Sequence, residues 1–226
     1  MSLLWRLSLG LLILSVQGCH GNNISQQDVR AADVDPAFQE IGSVSCPRIV
    51  TRSEWGARSP TSYTWLSLPT PYAIVHHTDG ASCYTESACK SQVKGIQNYH
   101  MDSNGWWDIG YNFLIGGDGN VYEGRGWYYK GSHASSYNGY ALGISMIGDF
   151  DGTAPSSLMM NTLYQFLDCA VSKEMLAPGY TLFGHRQAVS TTCPGNSLYY
   201  ILDDHEHYQY ISGSVDNPKT AEQCSL

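Results

Sequence analysis

Charge is scarce in this chain. Only 14% of its 226 residues are Asp, Glu, Lys or Arg, and 12 basic side chains face 20 acidic ones, for a formal net charge of −8. A nucleic-acid binder normally carries a concentrated basic face, so that class is excluded. An anionic ligand is not, because one well-placed arginine holds a carboxylate inside an acidic protein. Long hydrophobic runs are also lacking. The most apolar stretch, Leu7 to Val16, is about half of the roughly 20 residues that a membrane-crossing helix needs, and no later segment is more apolar. No segment repeats. Yet 42% of the residues are hydrophobic, enough for a sizeable core, which excludes disorder as a description of the whole chain. The length suits one full-sized domain with tails.

What is present begins with an export signal. Arg6, the apolar run to Val16, and the small residues Gly18 and Gly21 read as a secretory signal peptide over residues 1–18, with cleavage as late as residue 21 fitting equally well. The mature protein is then expected to be secreted and extracellular. The choice of cleavage site decides whether Cys19 survives. Residues 19–45 are polar and poor in aromatics, and read as a flexible N-terminal segment carrying the sequon Asn23-Ile24-Ser25. Seven cysteines remain to be explained: Cys19, Cys46, Cys83, Cys89, Cys169, Cys193 and Cys224. In an oxidising compartment most should pair, and the odd count leaves at least one without an intramolecular partner.

From Cys46 the pattern becomes that of a folded domain running to residue 210, with a polar tail over 211–226. Tyr72 to Val75 is a short apolar run ending at His76-His77, which predicts a buried strand. Residues 88–101 have helical spacing. Tyr111 to Ile115, a glycine-rich turn, and Val121 to Gly124 predict a hairpin. Leu142 to Ile147 predicts another buried strand, and residues 156–175 a long amphipathic helix followed by Pro178 and Gly179. Tyr180 to Phe183 predicts a strand ending at Gly184-His185, and residues 197–210 a final helix. Strands alternating with helices predict an α/β fold with a central mixed sheet flanked by helices, in a single domain.

Two of these strands end in histidine, at His76 and at His185, and ligands in open α/β sheets bind at strand carboxyl ends. Eight residues beyond His185 comes Cys193, in Thr191-Thr192-Cys193-Pro194-Gly195. Two imidazoles and a thiolate are zinc ligands, and three protein ligands leave a fourth position for water, as in catalytic zinc sites. The competing reading of Cys193 is half of a disulfide. There is no HExxH motif, so a glutamate base of that kind is not available.

At these residues the chain resembles the peptidoglycan recognition protein family, related to bacteriophage-type zinc amidases. The resemblance runs from Cys46 to Tyr210 and is carried by long segments: Cys46 to Arg58, Ile74 to Thr78, Asn98 to Asp102, Asp108 to Trp127, and Tyr180 to Arg186. It implies an amidase-like domain that takes Zn2+ at His76, His185 and Cys193, with Tyr111 as catalytic tyrosine and Thr191 as a supporting residue. It implies bacterial peptidoglycan as partner and hydrolysis of the amide between the lactyl group and L-alanine, in innate immunity. Non-catalytic recognition is the alternative, since many recognition-only members lack the cysteine. Groove positions carried over by the resemblance are His77, Thr78, His100, His133 and Asn138. Gly105, Trp106 and Arg125 match the pattern that goes with diaminopimelate-type peptidoglycan. Disulfides Cys83–Cys89 and Cys46–Cys169 are implied, while Trp107 stands where a third bridge of some relatives would have a cysteine. Cys19 and Cys224 are left to pair with each other or with another chain, which leaves the oligomeric state open.

Overall fold

The computed structural model describes residues 45–211, all within one compact unit that begins at Ser43. The signal peptide, the sequon at Asn23, Cys19 and Cys224 lie outside the described residues. A six-stranded mixed sheet is ordered β1-β4-β3-β5-β2-β6, with β1 Ile49–Val50, β2 Thr70–His77, β3 Phe113–Ile115, β4 Val121–Glu123, β5 Ala141–Met146 and β6 Leu176–Gly184. Only β3 and β4 pair antiparallel, as the glycine-rich hairpin predicts; the remaining pairs are parallel. Three α-helices accompany the sheet: α1 Glu86–Asn98, α2 Ser157–Ser172 and α3 Asn196–Leu202.

Both long helices start where a hydroxyl caps them. Thr85 Oγ1 accepts the Ala88 N–H at 3.3 Å, and Ser156 Oγ accepts that of Met159 at 3.3 Å, each satisfying one orphan donor of the first turn. α2 lays Met159, Leu163, Phe166, Leu167 and Ala170 against one face of the sheet, onto Ala73, Val75, Phe113, Ile115, Leu142 and Ile144. α1 covers part of the opposite face, where Cys89 and Val93 meet Leu114, Tyr122 and Ile147. Beside it the same face carries a separate apolar group of Ile74, Phe183, Ala134 and Ala141. Alternation along β2 therefore sends Ala73 and Val75 to the α2 core and leaves Ile74 and His76 on the other face.

Several element boundaries differ from the sequence reading, each for a physical reason. α1 begins at Glu86, and residues 99–103 continue it as a wider π-turn that buries His100. α2 stops at Ser172 because Glu174 takes a left-handed conformation (φ 59°), which turns the chain straight into β6. Pro178 and Gly179 lie inside β6, in an irregular stretch between Leu176 and Thr181 of an edge strand, where a missing N–H is tolerated. The final helix ends at Leu202 rather than 210. The run Asp203-Asp204-His205-Glu206 offers no apolar face, and the following residues lie along β6 instead, with Leu182 N donating to His207 O and Gln209 N to Leu182 O.

Disulfides join Cys46 to Cys169 and Cys83 to Cys89, and Cys193 is reduced. The first spans 123 positions and, by chain entropy, contributes on the order of 5 kcal/mol.

Candidate metal centre and cleft

His76 leaves β2 on the face that α1 only partly covers, in register with Ser145 of β5. His185 follows β6 directly. Cys193 arrives from a loop held by Arg186, whose N–H donates to Cys193 O at 2.9 Å and whose guanidinium donates to Thr192 O and to Asn196 Oδ1. One ligand atom from each of His76, His185 and Cys193 falls within 4.8 Å of the others. His76 Nδ1 stands 3.8 Å from Cys193 Sγ, close to the edge of about 3.6 Å expected for nitrogen and sulfur on one tetrahedral zinc. His185 Nδ1 is buried with no partner, as a nitrogen awaiting a metal would be. The donor set and its spacing fit Zn2+.

Burial governs the electrostatics. It holds His76 well below the usual histidine range, with His133 and His185 adding to the effect, and brings His185 to about 4 and His133 to about 3. These rings are neutral at pH 7, with lone pairs available to a metal. Burial pushes the Cys193 thiol up to about 12, so metal binding requires it to release its proton. Tyr111 is likewise pushed up to about 12, first by burial and then by Cys193, and keeps its phenolic proton as a donor. Its ring lies 5.3 Å from that of His76, centroid to centroid.

Two cavities meet here and share Trp106 and Ser132 as a common wall. One, about 250 Å³, holds the three ligand residues with His77, Thr78, Asp79, Tyr111, His133 and Thr191. The other, about 340 Å³, is lined by Thr64, Gly105, Trp107, Arg125, Lys130 and Asn138 as well. The loop bearing Gly105 and Trp106 is anchored by buried Asp108, which accepts from Gln97 Nε2 at 2.7 Å and pairs with Arg52 at 3.0 Å.

Several residues marked in the sequence turn out to be tied to the protein. Arg125 is buried, donating from Nε to Ile109 O, from Nη1 to Lys130 O and from Nη2 to Ser132 Oγ. Asn138 Oδ1 accepts the N–H groups of His133 and Ala134, both at 2.8 Å. Thr78 Oγ1 accepts Gly148 N–H at 2.9 Å, joining the ends of β2 and β5, and Thr191 Oγ1 accepts the N–H of Cys193 at 3.3 Å. His77 Nδ1 accepts the Phe150 N–H at 3.4 Å. His100 lines neither cavity; its Nδ1 accepts Gly110 N–H at 3.0 Å, and its ring backs Trp106 at 4.7 Å. Two residues escaped the sequence reading. Ser132 stands between both cavities, and Ser145, fully buried, is the lone hydroxyl in an otherwise apolar strand beneath Tyr111. That isolated polar residue in β5 was the available signal.

Comparison with known proteins agrees with this geometry. The family model for N-acetylmuramoyl-L-alanine amidase matches residues 67–196. Peptidoglycan-recognition protein SC2 of Drosophila simulans is 52% identical over 151 residues, covering 67% of this chain and 82% of that protein. Among solved structures, bumblebee PGRP-SA is 44% identical with a TM-score of 0.71, over 73% of this chain and 98% of that one. Peptidoglycan recognition protein-LE, solved with tracheal cytotoxin (monomeric diaminopimelic acid-type peptidoglycan), is 37% identical with a TM-score of 0.71, over 72% and 96%. The fold and site thus define an amidase-type domain. Within that class, the chain belongs to the peptidoglycan recognition protein family. Among the described residues no helix is long and apolar enough to cross a membrane.

Proposed function

We propose that this protein is a secreted zinc-dependent N-acetylmuramoyl-L-alanine amidase of innate immunity, which binds bacterial peptidoglycan and hydrolyses the lactyl–L-alanine amide. The observation that carries this reading is the reduced Cys193 converging with His76 and His185 at metal-binding distance. Zinc held by these three residues would acidify a bound water toward a pKa of about 7 and polarise the scissile carbonyl. The chain supplies the rest. Tyr111, protonated and half-buried beside His76, is placed to donate to oxygen as charge develops there. Thr191 shapes the turn that presents the thiol. Trp106, common to both cavities, would orient the stem peptide between them.

The test is incubation with purified peptidoglycan, with and without a chelator, following release of peptides that begin with L-alanine. Release that stops on chelation and returns with zinc is expected. Binding without release would favour recognition alone, a reading supported by the larger cavity's lying outside the ligand trio.

The proposed preference for diaminopimelate-type over lysine-type peptidoglycan rests on Arg125, since the two stem residues differ by one carboxylate. The guanidinium lines the larger cavity with two of its five N–H donors outside the three hydrogen bonds it makes to the protein. Losing a charge-assisted contact there costs about 2 kcal/mol, roughly 30-fold. Arg125→Val also strips partners from Ile109 O and Lys130 O, so stability will fall, but the ratio of rates on the two substrates is independent of the folded fraction. That ratio is expected to favour the diaminopimelate form in the wild type and to collapse toward unity in the variant. Equal wild-type rates would refute the preference.

A further inference from the structure

His133 does more than line the cleft. Its Nδ1 lies 3.0 Å from His76 Nε2, with both rings buried. The other nitrogen of His76, Nδ1, faces Cys193 Sγ. For Nδ1 to offer its lone pair to a metal, the ring proton of His76 must sit on Nε2, and the group that meets it there is His133 Nδ1. We propose that His133 is a positioning residue, the hydrogen-bond acceptor that fixes the tautomer and ring orientation of the zinc ligand His76. This rests on the zinc reading above and adds the residue that prepares the site.

Three features of the chain support it. The His133 ring occupies a slot made by two glycines: a Cβ at Gly143 would stand 2.3 Å from the ring, and one at Gly131 2.4 Å. A slot that tight leaves the ring no alternative rotamer without displacing backbone. Its own backbone is clamped by Asn138, which accepts from both His133 N and Ala134 N. Finally, accepting at Nδ1 puts the proton of neutral His133 on buried Nε2, where the ring's remaining hydrogen-bonding neighbour is the backbone of Ala141. Histidine ligands of metals generally donate their second ring nitrogen to a carboxylate, a carbonyl or water. Here a second imidazole takes that place.

The test compares His133→Phe, which fills the slot without an acceptor, with His133→Asn, whose side-chain oxygen stands near the former Nδ1. Zinc affinity is measured by competition with a chromophoric chelator, alongside the melting temperature of each metal-free protein. The Phe variant is expected to lose 10- to 100-fold in zinc affinity and the Asn variant less than about 3-fold. A purely packing role would instead make Phe the milder change. Should the Phe variant fail to fold, His133→Ala with added imidazole takes its place, and recovery of zinc affinity on adding imidazole is the expected result. Wild-type zinc affinity in the variants lacking an acceptor, or an Asn variant as weak as Phe, would overturn the inference. A wild-type protein that binds no zinc would instead remove the zinc reading beneath it.

Discussion

Cys193→Ser is expected to abolish peptidoglycan hydrolysis while leaving peptidoglycan binding nearly intact. A serine hydroxyl is a poor zinc ligand beside a thiolate, and a water that zinc would have acidified would then be a far weaker nucleophile at neutral pH, so turnover should fall by about 10³-fold or more. Binding is expected to survive because the larger cavity, with Arg125 and Trp106, receives nothing from Cys193. The two readouts are the rate of amide cleavage and retention on insoluble peptidoglycan. A Ser variant that cleaves at the wild-type rate would defeat the reading of Cys193 as a zinc ligand that hydrolysis needs.

Tyr111→Phe should produce the next largest effect, a fall in kcat of about 10²- to 10³-fold with little change in KM, as for loss of a donor used in the transition state. The ring keeps its packing beside His76 and His100, and the lost hydroxyl leaves only the nearby Ser145 hydroxyl to adjust. Stability should therefore change by about 1 kcal/mol or less. Thermal melting together with steady-state kinetics separates the outcomes, and unchanged kcat would return Tyr111 to a packing role.

Much of this architecture was legible in the chain because its strands are buried on both faces. Tyr72 to Val75 and Leu142 to Ile147 read as continuous apolar runs, and β2 runs directly into the histidines that such a run leads to. The mixed sheet with flanking helices followed from the alternation of periodicities. β1 was hidden, since Ile49–Val50 lies between Arg48 and Thr51 and its partner β4 is far away in sequence. The false extension of α3 arose because the run beyond Leu202 lacks proline and glycine, and only its pairing along β6 shows it to be extended. At the site, residue type identified the groups able to bind metal but not which way polar side chains point. His100 and His133 look alike as groove histidines, yet one accepts a backbone N–H behind Trp106 and the other meets the ring of His76. Arg125 stands out as a charge in a strand hairpin, while its burial among carbonyls depends on chain segments that meet only in the fold.

The partial burial of Cys193 bears on how readily its sulfur is oxidised. Disulfides such as Cys46–Cys169 belong to oxidising surroundings, where a thiolate is exposed to exchange with other disulfides and to oxidation by peroxide. Reaction in both cases runs through the thiolate, and burial disfavours that form at Cys193. Burial that makes this sulfur hard to ionise also slows its oxidation, so the pocket that gathers His76, His185 and Cys193 shields the thiol it presents.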